Sequence, residues 1–312
     1  MAWTDILGHD SAKQLLQANL ADGTVAHAYL LAGPDGVGKR QLALEMVRTL
    51  MGPARGSVQP DLHLIAPSGA SNQIKIEDIR TLLGRVALRP FNAAFQVAFI
   101  DGVDRLTDEA ANSLLKALEE PSKYTKFLLI TSRLSFCLPT IVSRCQLVQC
   151  SALSPEVITR LLMERHACDA SVAESVSRLA CGSLSRAADL AGRWTAYQRL
   201  CERLADAHPT TWLEQPLPES REAVAQLLEA MIAWLRDVSV AAVDRARIAH
   251  AAHAAALSRQ AASIDIEHCA DTALALHALR ESLDQFISPR LVASLAREHW
   301  FGLIGGRAAA HG

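Results

Sequence analysis

The sequence predicts an α/β protein, a parallel sheet with helices on both faces, followed by helical regions. Three observations predict it. Through the first 150 residues short apolar runs alternate with amphipathic stretches, the pattern of strands buried on both faces. A Gly-rich turn follows the first of these runs and opens a helix. After Ser151 the strand-length runs stop and only helical spacing continues.

In chain order, Ala28–Ala32 (AYLLA) reads as a buried strand, with a helix after the turn to about Leu50. Leu62–Ile65 is a second strand, and Ile76, Ile79, Leu82, Leu83 and Val86 carry helical spacing. Val97–Ile100 (VAFI) is a third strand that ends in acidic residues. Asp108–Glu120 is helical and stops at Pro121, Phe127–Thr131 is a fourth strand, and Leu147–Cys150 is a fifth. Ser154–His166, Ala170–Cys181 and Leu184–Ala205 follow as helices, the first with Pro155 at its first helical position. His208–Ser220 holds three prolines and marks a boundary. Beyond it, Val224, Leu227, Leu228, Met231, Leu235 and Val238 share one helical face, and Leu276, Leu279, Leu283 and Phe286 another. Such stripes are read as core or subunit interface. The tail from Arg307 reads as frayed. The expected division is 1–150, 151–207 and 208–312.

Bulk properties narrow the function classes. At 312 residues the chain is too long for one ordinary core. Half of it is hydrophobic and 21 % is charged, as in globular proteins. A net charge of -2 argues against a protein that grips DNA alone. The N-terminus lacks the basic-then-apolar order of a secretory signal, and no apolar run approaches the roughly 18–20 residues that span a bilayer. The expectation is a cytoplasmic protein without membrane contact. Seven cysteines (137, 145, 150, 168, 181, 201 and 269) form no C-x-x-C pair and are read as small buried hydrophobes.

The chemistry is concentrated at Gly33-Pro34-Asp35-Gly36-Val37-Gly38-Lys39, which fits G-x-x-x-x-G-K after a strand and before a helix. Gly33, Gly36 and Gly38 let backbone N–H groups wrap phosphates, and Lys39 reaches the β and γ phosphates. The next residue should carry a hydroxyl for Mg²⁺, but it is Arg40. A guanidinium has no lone pair to offer a metal, and its charge opposes one. The expected loop keeps its shape, with ATP binding left open and Mg²⁺ disfavoured. The third strand delivers Asp101, the position of a Walker-B carboxylate, yet Gly102 stands where an active motor has a catalytic Glu. Asp104 lies two residues on and is expected to face elsewhere. Losing both the metal hydroxyl and the base predicts weak or no hydrolysis in cis.

Four stretches now resemble one family. "HAYLLAGPDGVGKRQLA", "PDLHLI", "VAFIDGVDRLTDEAANSLLKALEEPS" and "FLLITSRLSFCLPTIVSRCQ" together look like the bacterial clamp loaders of DNA polymerase III, an AAA+ family, over roughly residues 4–150. "GSLSRA" at 182–187 continues the match, and "LDQFISPRLVASL" is similar to the family's last helices, with Ser288 where Asn is common. The opening "WTDILGHDSAKQLL" and the length resemble the delta-prime branch; gamma/tau is longer and keeps an intact G-K-T.

The resemblance implies an AAA+ RecA-like domain over 1–150, a helical lid over 151–207 and an oligomerising helical collar over 208–312. It implies gamma/tau and delta subunits as partners, and through the complex a sliding clamp and primed DNA. Arg144 of Ser143-Arg144-Cys145 matches an arginine finger that enters a neighbour's ATP site, an element worth on the order of 10³–10⁵ in rate. Arg186 stands at the position of sensor 2 and Thr131 near sensor 1, each with a purely structural role as the alternative. Lys116 is either a DNA-phosphate contact or part of a solvated helix face. Many relatives carry four cysteines after the phosphate-loop helix; Met51–Pro60 has none, so no zinc is expected. Two rival readings remain at this point: a gamma/tau-like ATP-hydrolysing motor, and a DNA-binding adaptor, which the charge disfavours.

Overall fold

A computed structural model of the chain describes residues 3–52, 59–69, 71–206, 216–283 and 287–305. By backbone contacts it divides into two compact units, one of Met1–Leu161 with Cys181–Arg186, the other of Leu162–Ala180 with Ala187–Gly312.

The first unit is built on five parallel strands, β1 (Ala28–Ala32), β2 (Leu62–Ile65), β3 (Gln96–Asp101), β4 (Thr125–Thr131) and β5 (Gln146–Gln149), in the order β2-β3-β4-β1-β5. Successive side chains of a strand point to opposite faces, and here both faces are apolar. Ala28, Leu30, Ala98, Ile100, Phe127 and Leu129 enter one core, packed by α3 (Ile76–Val86), α4 (Asp108–Glu119) and α5 (Pro139–Val142). Tyr29, Leu31, Val97, Phe99, Leu128 and Ile130 enter the other, under α1 (Asp10–Ala21) and α2 (Lys39–Met51). The expected parallel sheet, covered on both faces, is the observed one.

Strand β4 starts two residues before its expected position because Thr125 is drawn in: its hydroxyl donates to the Val86 carbonyl at 2.8 Å, out of reach of water. Asp61, just before β2, is 1 % exposed and accepts from the N–H groups of Phe91, Asn92 and Ala93 at 2.7–2.9 Å. Burial pushes this carboxyl up, but the three donors outweigh burial and hold it below the ordinary value.

The helical part begins with α6 (Pro155–His166) and α7 (Ala170–Leu179). The stretch Leu184–Ala205, expected as one helix, is two, α8 (Leu184–Gly192) and α9 (Trp194–Ala205). The break falls at Arg193, whose guanidinium is held by Asp189 at 2.8 Å and Glu229 at 2.7 Å. Of the expected boundary His208–Ser220, residues 208–215 lie outside the described residues. Ser220 then caps α10 (Arg221–Val243) by accepting from the Ala223 N–H. The Val224–Val238 stripe of α10 is buried, packed within this unit by α9, α11 (Ala254–Ser263), α12 (Ile266–Ser282) and α13 (Pro289–Gly305). Of the second stripe, Leu276 and Leu283 are buried and Leu279 half-buried; Phe286 and the tail from Arg307 lie outside the described residues.

Inside this unit Asp237 is fully buried. One carboxylate oxygen accepts from the N–H groups of Ala249 and His250 and from His250 Nδ1, at 2.7–2.8 Å. His250 Nε2 in turn accepts from the Tyr197 hydroxyl at 2.8 Å. Cysteines 137, 150, 201 and 269 are buried as expected, with burial pushing the Cys150 thiol up to about 11 and Cys201 to about 12. Cys181 is a correction: it is exposed, at φ 50°, on the turn that leads into α8.

Candidate functional site

Parallel packing brings the carboxyl ends of β1, β3 and β4 together, where open α/β sheets bind ligands. The phosphate loop leaves β1 there. Gly33 sits so close to the Cys150 carbonyl that a Cβ would stand 1.9 Å from its oxygen, so no other residue fits. Asp35, Gly36, Gly38, Lys39, Arg40, Gln41, Asp101, Ile130, Ser132, Leu184 and Ser185 enclose a cleft of about 310 Å³, at the small end for ligand pockets. His9 steadies the loop from outside by donating Nε2–H to the Val37 carbonyl at 2.7 Å. The first turn of α8 steadies it from the other side, Leu184 N–H reaching the Gly36 carbonyl at 2.9 Å.

Lys39 opens α2 and is 4 % exposed. Its ammonium donates to the carbonyls of Gly33 and Pro34 at 2.8 and 2.6 Å and to the Ser132 hydroxyl at 3.1 Å. Burial lowers its pKa, against the field of Asp35 and Asp101. These groups, with the α2 N-terminus, could hold a phosphate.

A magnesium ion fits less well. Arg40, where a hydroxyl would ligate the metal, donates from its guanidinium to Asp101 at 3.1 Å. The carboxylate that would orient the ion is thereby neutralised. Nor does Gly102 simply lack a side chain. Its φ is 98°, a left-handed conformation, and a Cβ would lie 3.0 Å from the Pro67 ring. A Glu at 102 would be strained before its carboxylate reached anything.

Asp104 lies outside the cleft lining, although its charge still reaches Lys39. It accepts from Thr131 Oγ1 at 3.0 Å and Arg133 Nε at 3.1 Å, and its side chain is 3 % exposed. Thr131 is therefore turned toward Asp104, and the group that β4 offers to the loop is Ser132. Sequence reasoning stopped one residue short of Ser132 and missed Asp35, whose carboxylate accepts from the Gly36 N–H at 3.0 Å and from Ser132 at 3.4 Å. A hydroxyl directly after an apolar strand and an acidic residue inside the loop were the available signals.

The remaining predicted residues lie outside the cleft lining. Arg144 follows α5, on the sheet face covered by α4; its guanidinium donates to Glu119 at 2.6 Å and to the Thr140 carbonyl at 3.1 Å. Arg186 is exposed on the first turn of α8, and Lys116 is exposed on α4. Residues 53–58, within the stretch read as lacking zinc ligands, lie outside the described residues; among the described residues no cluster of His, Cys, Asp or Glu could hold a metal. Among them, too, no helix is long and apolar enough to cross a membrane.

Residues 8–154 match the family described as "DNA polymerase III, delta subunit". The delta-prime subunit of DNA polymerase III from Pseudomonas aeruginosa is 33 % identical over 224 residues, 62 % of this chain and 67 % of that protein. The chain belongs to the DNA polymerase III clamp-loader family. Among its clamp-loader relatives, the Bacillus subtilis delta-prime subunit is 34 % identical over 167 residues, 49 % of this chain and 50 % of that one. The Escherichia coli tau subunit is 32 % identical over 206 residues, 60 % of this chain and 32 % of that one. The match thus spans about half to two thirds of the delta-prime relatives and less of tau. A gamma-subunit-related protein of Thermotoga maritima covers 91 % of this clamp-loader chain at 21 % identity, with a TM-score of 0.47. The Thermotoga maritima RuvB branch migration motor covers 64 %, also at 21 % identity, with a TM-score of 0.48.

Proposed function

We propose that this clamp-loader chain is a delta-prime-type subunit, cytoplasmic and working inside a hetero-oligomer with gamma/tau and delta subunits. That complex opens a sliding clamp and places it on primed DNA with ATP hydrolysed by its neighbours. In this reading 1–150 is the AAA+ domain, 151–207 the lid and 208–312 the collar. Gly33, Gly36, Gly38, Lys39 and Arg40 bind nucleotide phosphates beside Asp101. Thr131 and Arg186 take the two sensor positions and Lys116 a DNA phosphate. Arg144 acts in trans, its guanidinium stabilising charge on the phosphoryl group transferred in the adjoining subunit.

The observation that carries the reading is the Arg40–Asp101 ion pair. A motor needs that carboxylate for Mg²⁺, and here a guanidinium holds it. The backbone at Gly102 reinforces the point. The test is ATP hydrolysis by the purified chain alone and then by a clamp-loader complex reconstituted with it. Silence alone with stimulation in the complex is expected. Robust turnover alone, abolished by Lys39→Ala, would reassign the chain as a gamma/tau-like motor.

A further inference from the structure

The same ion pair bears on the form in which nucleotide would enter. We propose that the cleft takes a nucleoside di- or triphosphate as the free anion, with the Arg40 guanidinium in the place of the divalent cation. This deepens the nucleotide-site reading above and rests on it.

Three features of the cleft lead to this. Mg²⁺ binds through one or two carboxylates plus substrate phosphates in near-ideal octahedral geometry. Arg40 occupies the residue position that would contribute a metal ligand, and its guanidinium already lies 3.1 Å from the Asp101 oxygen. An ion on that oxygen would sit against a fixed positive charge, since a guanidinium does not deprotonate in proteins.

The second feature is donor supply. A guanidinium has five N–H donors in a fork that matches phosphate oxygens. Arg40 spends one contact on Asp101, its side chain is 51 % exposed, and it lines the cleft beside Lys39. Two adjacent cations therefore stand on the first turn of α2, Lys39 buried with its ammonium on the loop carbonyls and Ser132, and Arg40 half in solvent.

The third is the fate of the other carboxylate. One oxygen of Asp35 already accepts from the Gly36 N–H and from Ser132, so it is tied into the loop itself. The lining thus holds two cations, Lys39 and Arg40, against two carboxylates, and its spare donors are the N–H groups of Arg40 beyond the one spent on Asp101. In a metal-dependent phosphate loop Mg²⁺ strengthens nucleotide binding. Here it should weaken it, by sequestering the phosphate oxygens that Arg40 and Lys39 would take.

The experiment is equilibrium binding of ADP and ATP to the purified full-length chain, once in EDTA and once in excess Mg²⁺. The dissociation constants are expected to be about tenfold lower in EDTA. Arg40→Thr, which frees Asp101 and restores a hydroxyl, should reverse the order, so that Mg²⁺ tightens binding. Arg40→Gln gives a second variant should Arg40→Thr fold poorly. It removes the guanidinium without adding a hydroxyl, so binding in EDTA should weaken about tenfold. Wild-type binding that needs Mg²⁺ overturns the proposal, and so does EDTA binding that is unchanged in Arg40→Gln with the fold intact. No binding in either buffer overturns it together with the nucleotide site. The subunit role, read by hydrolysis in the reconstituted complex, would still stand.

Discussion

Arg40 and Arg144 belong to the same compact unit, and each pairs with a single carboxylate, yet the two pairs do opposite things to the sites around them. Arg40 stands on the first turn of α2, next to the buried Lys39, and its partner Asp101 is the acidic residue at the cleft that a metal would require. Forming the pair uses up the cleft's metal chemistry. Arg144 stands half-buried just after α5, and its partner Glu119 is the last residue of α4, away from the cleft. That pair removes nothing from the cleft and holds the guanidinium at Glu119 and the Thr140 carbonyl. Both pairs are partly solvated, so neither contributes much to folding. The role of an ion pair here lies in which carboxylate it occupies, more than in how strongly it binds.

The largest effect should come from Arg144. Arg144→Ala, in a reconstituted complex, is expected to lower hydrolysis at the adjoining site on the order of 10³-fold, the scale of a lost arginine finger. Assembly, followed by gel filtration, should be unchanged because the side chain is at the surface. An unaltered rate would break the comparison by making Arg144 an ordinary surface residue.

The next effect sharpens the contrast with a pair that is buried. Asp237, in the helical unit, is out of solvent and satisfies two backbone N–H groups as well as His250. Removing it leaves three donors unpaired. Asp237→Ala should cost about 3–5 kcal/mol and lower the thermal transition of that unit by about 10 °C. Calorimetry would check this, and a shift no larger than that of Arg40→Thr would mean that burial is not what separates these pairs.

How far the sequence spoke for itself differs along the same lines. The strands were legible because residues such as Leu30 and Leu31 are apolar on both sides of one backbone, which a sheet covered on both faces demands. The boundaries of β1 and β2 came out at the residues expected. The break at Arg193 had a local signal in Gly192 that was passed over, whereas the bond from Arg193 to Glu229, 36 residues away in the chain, had none. Tyr197, His250 and Asp237 are likewise separated by 53 and 13 residues, and no local pattern announces their meeting. In the cleft, the loss of the metal hydroxyl could be read from Arg40, but the left-handed backbone at Gly102 could not. A glycine in sequence shows which side chain is missing and leaves open whether the backbone has room for one. Ser132 was within reach, one position beyond the strand end, and was passed over because Thr131 occupied the position that the family resemblance supplied.

The smallest effect should come from Glu119. Glu119→Gln removes the charge that holds Arg144 and leaves the Thr140 carbonyl as its acceptor. The pair is solvated on both sides, so stability should change by less than about 1 kcal/mol. If Glu119 only detains the guanidinium, freeing it should raise hydrolysis by the reconstituted complex by roughly two- to fivefold, since about 1.4 kcal/mol corresponds to a factor of ten. If Glu119 instead aims Arg144 at the neighbour, the same substitution should lower the rate toward that of Arg144→Ala. The sign of the change, measured at saturating ATP, therefore decides whether the pair is a restraint or a guide. An unchanged rate would mean that Arg144 leaves Glu119 at no cost, so that its carboxylate would matter as little to one arginine as Asp101 matters greatly to the other.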